Sequence, residues 1–99
     1  MIKVVYNDNF KNLKITGHAG YAELGKDIVC ASASGIILSS INLAIDFNNN
    51  VKYTDDYNKI EITNNTDDEN VKKVFNNMIL MLEEIEKQYP KNIKISKGE

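Results

Sequence analysis

DIVCASASGIILSSINLAIDF, residues Asp27 to Phe47, is the longest apolar-periodic run in the chain, and the other elements arrange themselves around it. Ala33, Ile37, Ile41, Ala44 and Ile45 recur at the 3.6-residue period of a helix, and Asp27 is a good N-cap for it. Ile36, Leu38, Leu43 and Phe47 widen the apolar arc, so the pattern predicts a helix buried on most sides. Ala31-Ser32-Ala33-Ser34-Gly35 makes its first turns slim, which permits close approach of another backbone. Asn48-Asn49-Asn50 stops it.

Upstream, Ile2 to Tyr6 and Leu13 to Thr16 are short β-branched and apolar segments, and Asn7-Asp8-Asn9 carries turn chemistry between them. They read as a hairpin. His18 to Lys26 follows as a loop, with Gly17, Gly20 and Gly25 giving it the freedom to move. Downstream, Val51 to Thr54 and Lys59 to Thr63 read as a second hairpin, turned at Asp55-Asp56-Tyr57-Asn58. Thr66-Asp67-Asp68-Glu69 has the form of a capping box. Val71, Val74, Phe75, Met78, Leu82, Ile85 and Tyr89 then form a helical stripe ended by Pro90. Ile79-Leu80-Met81-Leu82 covers nearly a full turn, more apolar surface than one sheet face needs. Asn92 to Ser96 closes as a last strand. The order β-β-α-β-β-α-β predicts an α+β fold with two main helices on a mostly antiparallel sheet.

The chain has 99 residues, 42% hydrophobic and 26% charged, which suits a single soluble domain over 1–99. All twelve basic residues are Lys, and the net charge is −2. Without Arg for bidentate phosphate and guanine contacts, nucleic acid is not expected as the main partner. Met1 to Tyr6 is too short in its apolar part for a signal peptide, and no run is expected to approach membrane-spanning length. The chain is therefore expected to be cytoplasmic, with no membrane partner. One Cys and one His, Cys30 and His18, exclude an internal disulfide and are too few soft ligands for structural zinc. Neither a metal nor another cofactor is expected.

Those two residues are the candidate chemistry. With Asp27 as N-cap, Cys30 sits in the first helical turn, where unpaired N–H groups and the macrodipole favour a thiolate. Ala31, Ser32 and Ala33 leave the sulfur unshielded. His18, at the far end of the Gly-rich loop, is positioned to fold back over the helix start. Cysteine catalysis needs such an imidazole to hold the proton and then protonate the leaving amine. Ser34, one turn beyond Cys30 on the same face, is a candidate hydrogen-bond donor, as are the N–H groups of the helix start. Each residue also has a plainer reading. A lone Cys serves as a small buried hydrophobe, a lone His as a hydrogen-bonded structural residue, and Asp27 as a cap contributing about 1 kcal/mol.

Gly17-His18-Ala19-Gly20, followed by Gly25-Lys26-Asp27-Ile28-Val29-Cys30-Ala31 and Ser34, resembles the ribosomal-processing cysteine proteases. The motif pair G-H-A and G-x-D-I-V-C-A is specific at this separation, and chain length and element order fit along the whole chain. The resemblance implies a cysteine endopeptidase that removes the N-terminal extension of a large-subunit ribosomal protein. Cys30 would be the nucleophile and His18 its general base and acid. Asp27 would orient His18 or fix the helix start, Ser34 would assist beside the thiol, and Gly17 would place His18. It further implies a homodimer, a loop that moves to admit substrate, and basic peptides cut after an aromatic pair. Asp55-Asp56 and Asp67-Asp68-Glu69 would then steer the peptide. Ser32 and Gly35 depart from the small and β-branched residues usual after the nucleophile. The alternative function is a non-catalytic module holding a ribosomal or other extended peptide on its hairpin edges. A redox-sensing dimer is disfavoured, since no resolving Cys exists.

Overall fold

Alternating apolar residues build the sheet. The computed structural model describes residues 1–17, 27–56 and 59–98, with the backbone alone described at position 27. The elements are β1 (Ile2–Tyr6), β2 (Asn12–Thr16), α1 (Asp27–Phe47), β3 (Val51–Asp56), β4 (Lys59–Asn64), α2 (Glu69–Gln88) and β5 (Ile93–Lys97). Five strands lie in the order β3-β4-β2-β1-β5. Only β1 and β5 pair in parallel; the other three pairings are antiparallel. The expected α+β class and element order are what the chain adopts.

Register follows from the period-2 pattern. Ile95 faces Val4, Val4 faces Ile15 and Ile15 faces Ile60, an apolar row across four strands. A slip of one residue would drive Lys3, Lys14 and Glu61 into the core, so this register is strongly specified. The helices cover the same face. Val29, Ala33, Ile37, Ile41 and Ala44 of α1 are buried, as are Val71, Phe75, Met78, Ile79 and Leu82 of α2. Phe75 is fully buried, and its truncation to Ala costs about 3–5 kcal/mol.

Several expectations need correction. Burial of α1 is confined to one stripe: Leu43 and Phe47 are 49% and 48% exposed, and Ile28 is 61% exposed. Twenty residues of α1, Ile28–Phe47, with a mean hydropathy of 2.0, are long and apolar enough to cross a membrane by length and composition. The expectation that no run approaches that length is therefore wrong, although the sheet-facing stripe of α1 packs into the core. Asp55 and Asp56 belong to β3, opposite Ile60 and Lys59, because the backbone pairs on past the acidic residues. Only 57–58 separate the strands. The cap of α2 is Asp68, whose carboxylate accepts from the Asn70 N–H at 2.8 Å. Thr66 instead accepts the Asp68 N–H at 3.1 Å, so the cap lies two residues later than expected. The capping box does not form, because Val71 stands where its Glu or Gln would be. Between β1 and β2 a 3-10 turn spans Asp8–Phe10, with Asn9 and Phe10 at positive φ.

Candidate active site

Cys30 is placed by its neighbours in α1. The helix begins at Asp27, so Cys30 lies one position deeper than an Asp27 cap would put it but still in the first turn. Val29 is buried and anchors this turn to the core, while Ala31 and Ser32 face outward. Cys30 is a free thiol, half-buried at the rim of the core. Ser34, four residues on, is half-buried on the same face. Gly35 is exposed with open space where a side chain would stand, so a β-carbon there meets no atom. A small, partly accessible sulfur at a helix start, with slim residues around it, can accept an incoming carbonyl carbon. The first N–H groups of a helix have no intrahelical acceptor, which suits them to a developing oxyanion.

Gly17 is fixed by sterics. Its φ is +78°, which L side chains rarely adopt, and a β-carbon there would collide with the backbone carbonyl oxygen of Met1. Glycine is therefore required on both counts at the end of β2. The direction in which the chain leaves the sheet toward His18 is set at this residue.

His18, Gly20 and Gly25 lie outside the described residues, as does the side chain of Asp27. The described geometry brings together Cys30 and Ser34, and separately fixes Gly17 against Met1. No group of three His, Cys, Asp or Glu side chains suited to a metal occurs among the described residues.

At the other end of α1 is a polar network that only the three-dimensional structure reveals. Asn48 Nδ2 donates to Thr66 Oγ1 at 3.1 Å and to Asp68 Oδ2 at 3.5 Å. Lys11 Nζ donates to the Thr66 carbonyl at 3.0 Å and pairs with Asp67 at 2.7 Å. The hydrogen bond and charge of Lys11 hold the Asp67 carboxyl below its ordinary 3.8. These residues stabilise the entrance to α2 and lie at the helix end remote from Cys30, 17 positions along the chain and about 25 Å along the axis.

Comparison with known proteins decides the family. The family described as Cysteine protease Prp matches residues 1–94. This chain belongs to it. Among its relatives, the ribosomal processing cysteine protease Prp of Staphylococcus aureus is 29% identical, over 96% of this chain and 95% of the relative. The Prp of Bacillus subtilis is 28% identical, over 96% and 92%. A crystal structure of the essential ribosomal processing protease Prp from S. aureus, in complex with a substrate peptide, superimposes with a TM-score of 0.83. It is 26% identical in sequence and covers 98% of this chain and 97% of that one. The chain is thus a cysteine protease of the Prp family.

Proposed function

We propose that this protease removes the N-terminal extension of a large-subunit ribosomal protein, with Cys30 as nucleophile and His18 as general base and acid. One observation carries the assignment: a member of a cysteine protease family has a single cysteine, and it stands half-buried in the first turn of a helix. The chain's one histidine directly follows Gly17, whose backbone is held against Met1. Relatives that are ribosomal processing proteases support a ribosomal protein as the substrate.

In the proposed route His18 takes the Sγ proton and the thiolate attacks the scissile carbonyl carbon. N–H groups at the start of α1, with Ser34 beside them, hold the oxyanion. The C–N bond then breaks as His18 protonates the departing amine, leaving a thioester. Water attacks that thioester with its proton passing to His18, and the carboxylate product and free thiol are regenerated. Asp27 orients His18 or secures the helix start, and the loop with Gly20 and Gly25 opens to admit the peptide. Asp67 is paired with Lys11, which reduces its share in attracting a basic peptide.

The same reading places the enzyme in the cytoplasm as a homodimer, without cofactor. Leu38, Leu43 and Phe47 of α1, with Leu80 and Met81 of α2, supply exposed apolar surface for the second copy. Incubation with a peptide spanning the extension, followed by mass spectrometry, locates the cut. Cleavage at one bond that disappears in Cys30→Ala is the expected result; cleavage persisting at the native rate in that variant overturns the assignment.

A further inference from the structure

Among the described residues nothing packs on the second face of the sheet, and that face is rich in lysine. Lys3 and Lys94 stand directly opposite one another on the parallel β1–β5 pair. Lys14 lies diagonally from Lys3 across β1 and β2, where Lys3 faces Thr16 and Lys14 faces Val5. All three are exposed, and none forms an ion pair with a described residue. The carboxylate nearest in register is Glu61, opposite Lys14, and it already faces Lys59 Nζ at 3.7 Å. Lysine on the edge strand β5 discourages pairing with another sheet, but two ammonium groups facing each other also repel. An anionic partner relieves that repulsion.

The net charge of −2 averages two unlike surfaces. Glu83, Glu84 and Glu86 are on α2, and Asp67, Asp68 and Glu69 are at its start, so much of the acid belongs to the helical layer. The open face carries Lys3, Lys14, Lys52, Lys59 and Lys94 against Asp56 and Glu61, a local excess of positive charge. A hollow of about 220 Å³ beside Lys14 is lined also by Val5, Tyr6, Asn7, Asn12 and Gly98.

Against the expectation from whole-chain composition that nucleic acid is not the main partner, we propose that this open face docks the phosphate backbone of duplex RNA. Tyr6 and Tyr53 border hollows beside this face, but their register partners Leu13 and Ile62 are buried on the helical side. The face therefore offers little platform for splayed single-stranded bases. Lysines meet phosphates as point charges and, with no arginine present, the face has no bidentate reader of guanine, so the contact is independent of sequence. A field of lysines repeated across neighbouring strands suits the regular phosphates of a helix better than the scattered carboxylates of an acidic protein. The choice of RNA as the polyanion rests on the reading that the substrate is a ribosomal protein. The peptide-bond chemistry does not depend on it.

The test is fluorescence anisotropy with a labelled RNA duplex of about 16 base pairs, titrated with the full chain between about 50 and 200 mM salt. The expected result is saturable binding whose logarithm falls with log salt at a slope of about −3. The triple variant Lys3→Gln, Lys14→Gln, Lys94→Gln is expected to bind at least about tenfold more weakly with a shallower slope. Lys72→Gln with Lys73→Gln, on the helical layer, leaves binding unchanged. Absence of saturable binding, or equal affinity in the triple variant with an unchanged melting curve, overturns the proposal. So does competition by poly-glutamate as strong as that of unlabelled RNA at equal charge, which would assign the face to an acidic protein. Cleavage of a free peptide without RNA is read separately, so loss of one reading is distinguishable from loss of the other.

Discussion

The two ends of α1 are built from different materials. At the C-terminal end, Asn48 binds Thr66 and Asp68, Asn50 donates its N–H to Asn48 Oδ1 at 3.0 Å, and Lys11 closes onto Thr66 and Asp67. That end joins the exit from α1, the start of β2, the end of β4 and the entrance to α2 through polar contacts. At the N-terminal end there is a half-buried thiol, flanked by Ala31, Ser32 and Ser34 and anchored by Val29. The contrast separates two duties. The polar end ties separate segments of the fold together, while the end bearing Cys30 leaves a half-buried thiol beside the core-packed Val29.

Four changes can break or sharpen that contrast, and they are ordered by expected effect. Cys30→Ala removes the nucleophile, so cleavage of the extension peptide falls by at least about a thousandfold. The melting temperature of that variant, read by circular dichroism, stays within a few degrees. Gly17→Ala is expected to cost about 2 kcal/mol or more in urea unfolding, since a β-carbon meets both positive φ and the Met1 carbonyl. It also lowers kcat, because His18 follows Gly17 directly. Asn48→Ala removes the donor shared by Thr66 and Asp68 and costs about 1–2 kcal/mol, with kcat for the peptide unchanged. If Asn48→Ala lowered kcat as far as Gly17→Ala does, the two ends of α1 would not be separable.

The smallest effect is on pH dependence. Lys11 holds the Asp67 carboxyl below its ordinary 3.8. A group whose pKa is depressed by folding adds stability that is present above the unfolded value and is lost as pH falls through the folded value. Lys11→Met should therefore be slightly less stable than the native chain above about pH 4, with the difference shrinking as pH falls through the folded value. Because Asp67 is exposed, the difference is small. Lys97, whose pKa is raised by its hydrogen bond to Asp8 and by that carboxylate's charge, behaves in the opposite sense. Its contribution is complete below 10.5 and is lost as pH rises through the folded value.

The strands and helices were readable because their periods are local. Val4, Ile15 and Ile60 alternate with charged residues, and Phe75, Met78 and Leu82 keep a helical stripe. The motif around Cys30 was equally legible, since its residues are contiguous. What escaped depends on distant pairing. Nothing near Ile93 indicates that β5 joins β1 in parallel, and the contact of Asn48 with Thr66 and Asp68 spans 18 and 20 positions. Thr66 looked like the cap of α2 because its spacing to Glu69 is right, yet its hydroxyl is used by the Asp68 N–H. The outward apolar face of α1 was misread as buried, because periodicity counts apolar residues without saying what covers them. The segregation of lysine onto the open sheet face was hidden by the whole-chain charge for a similar reason.

The central claim is that Cys30 is activated by His18, and the rate of thiol alkylation tests it most directly. With iodoacetamide at neutral pH, followed by intact mass spectrometry, Cys30 should react at least about tenfold faster than a free thiol, and His18→Ala should remove that advantage. A Cys30 that alkylates at the rate of a free thiol, equally with and without His18, would contradict the account.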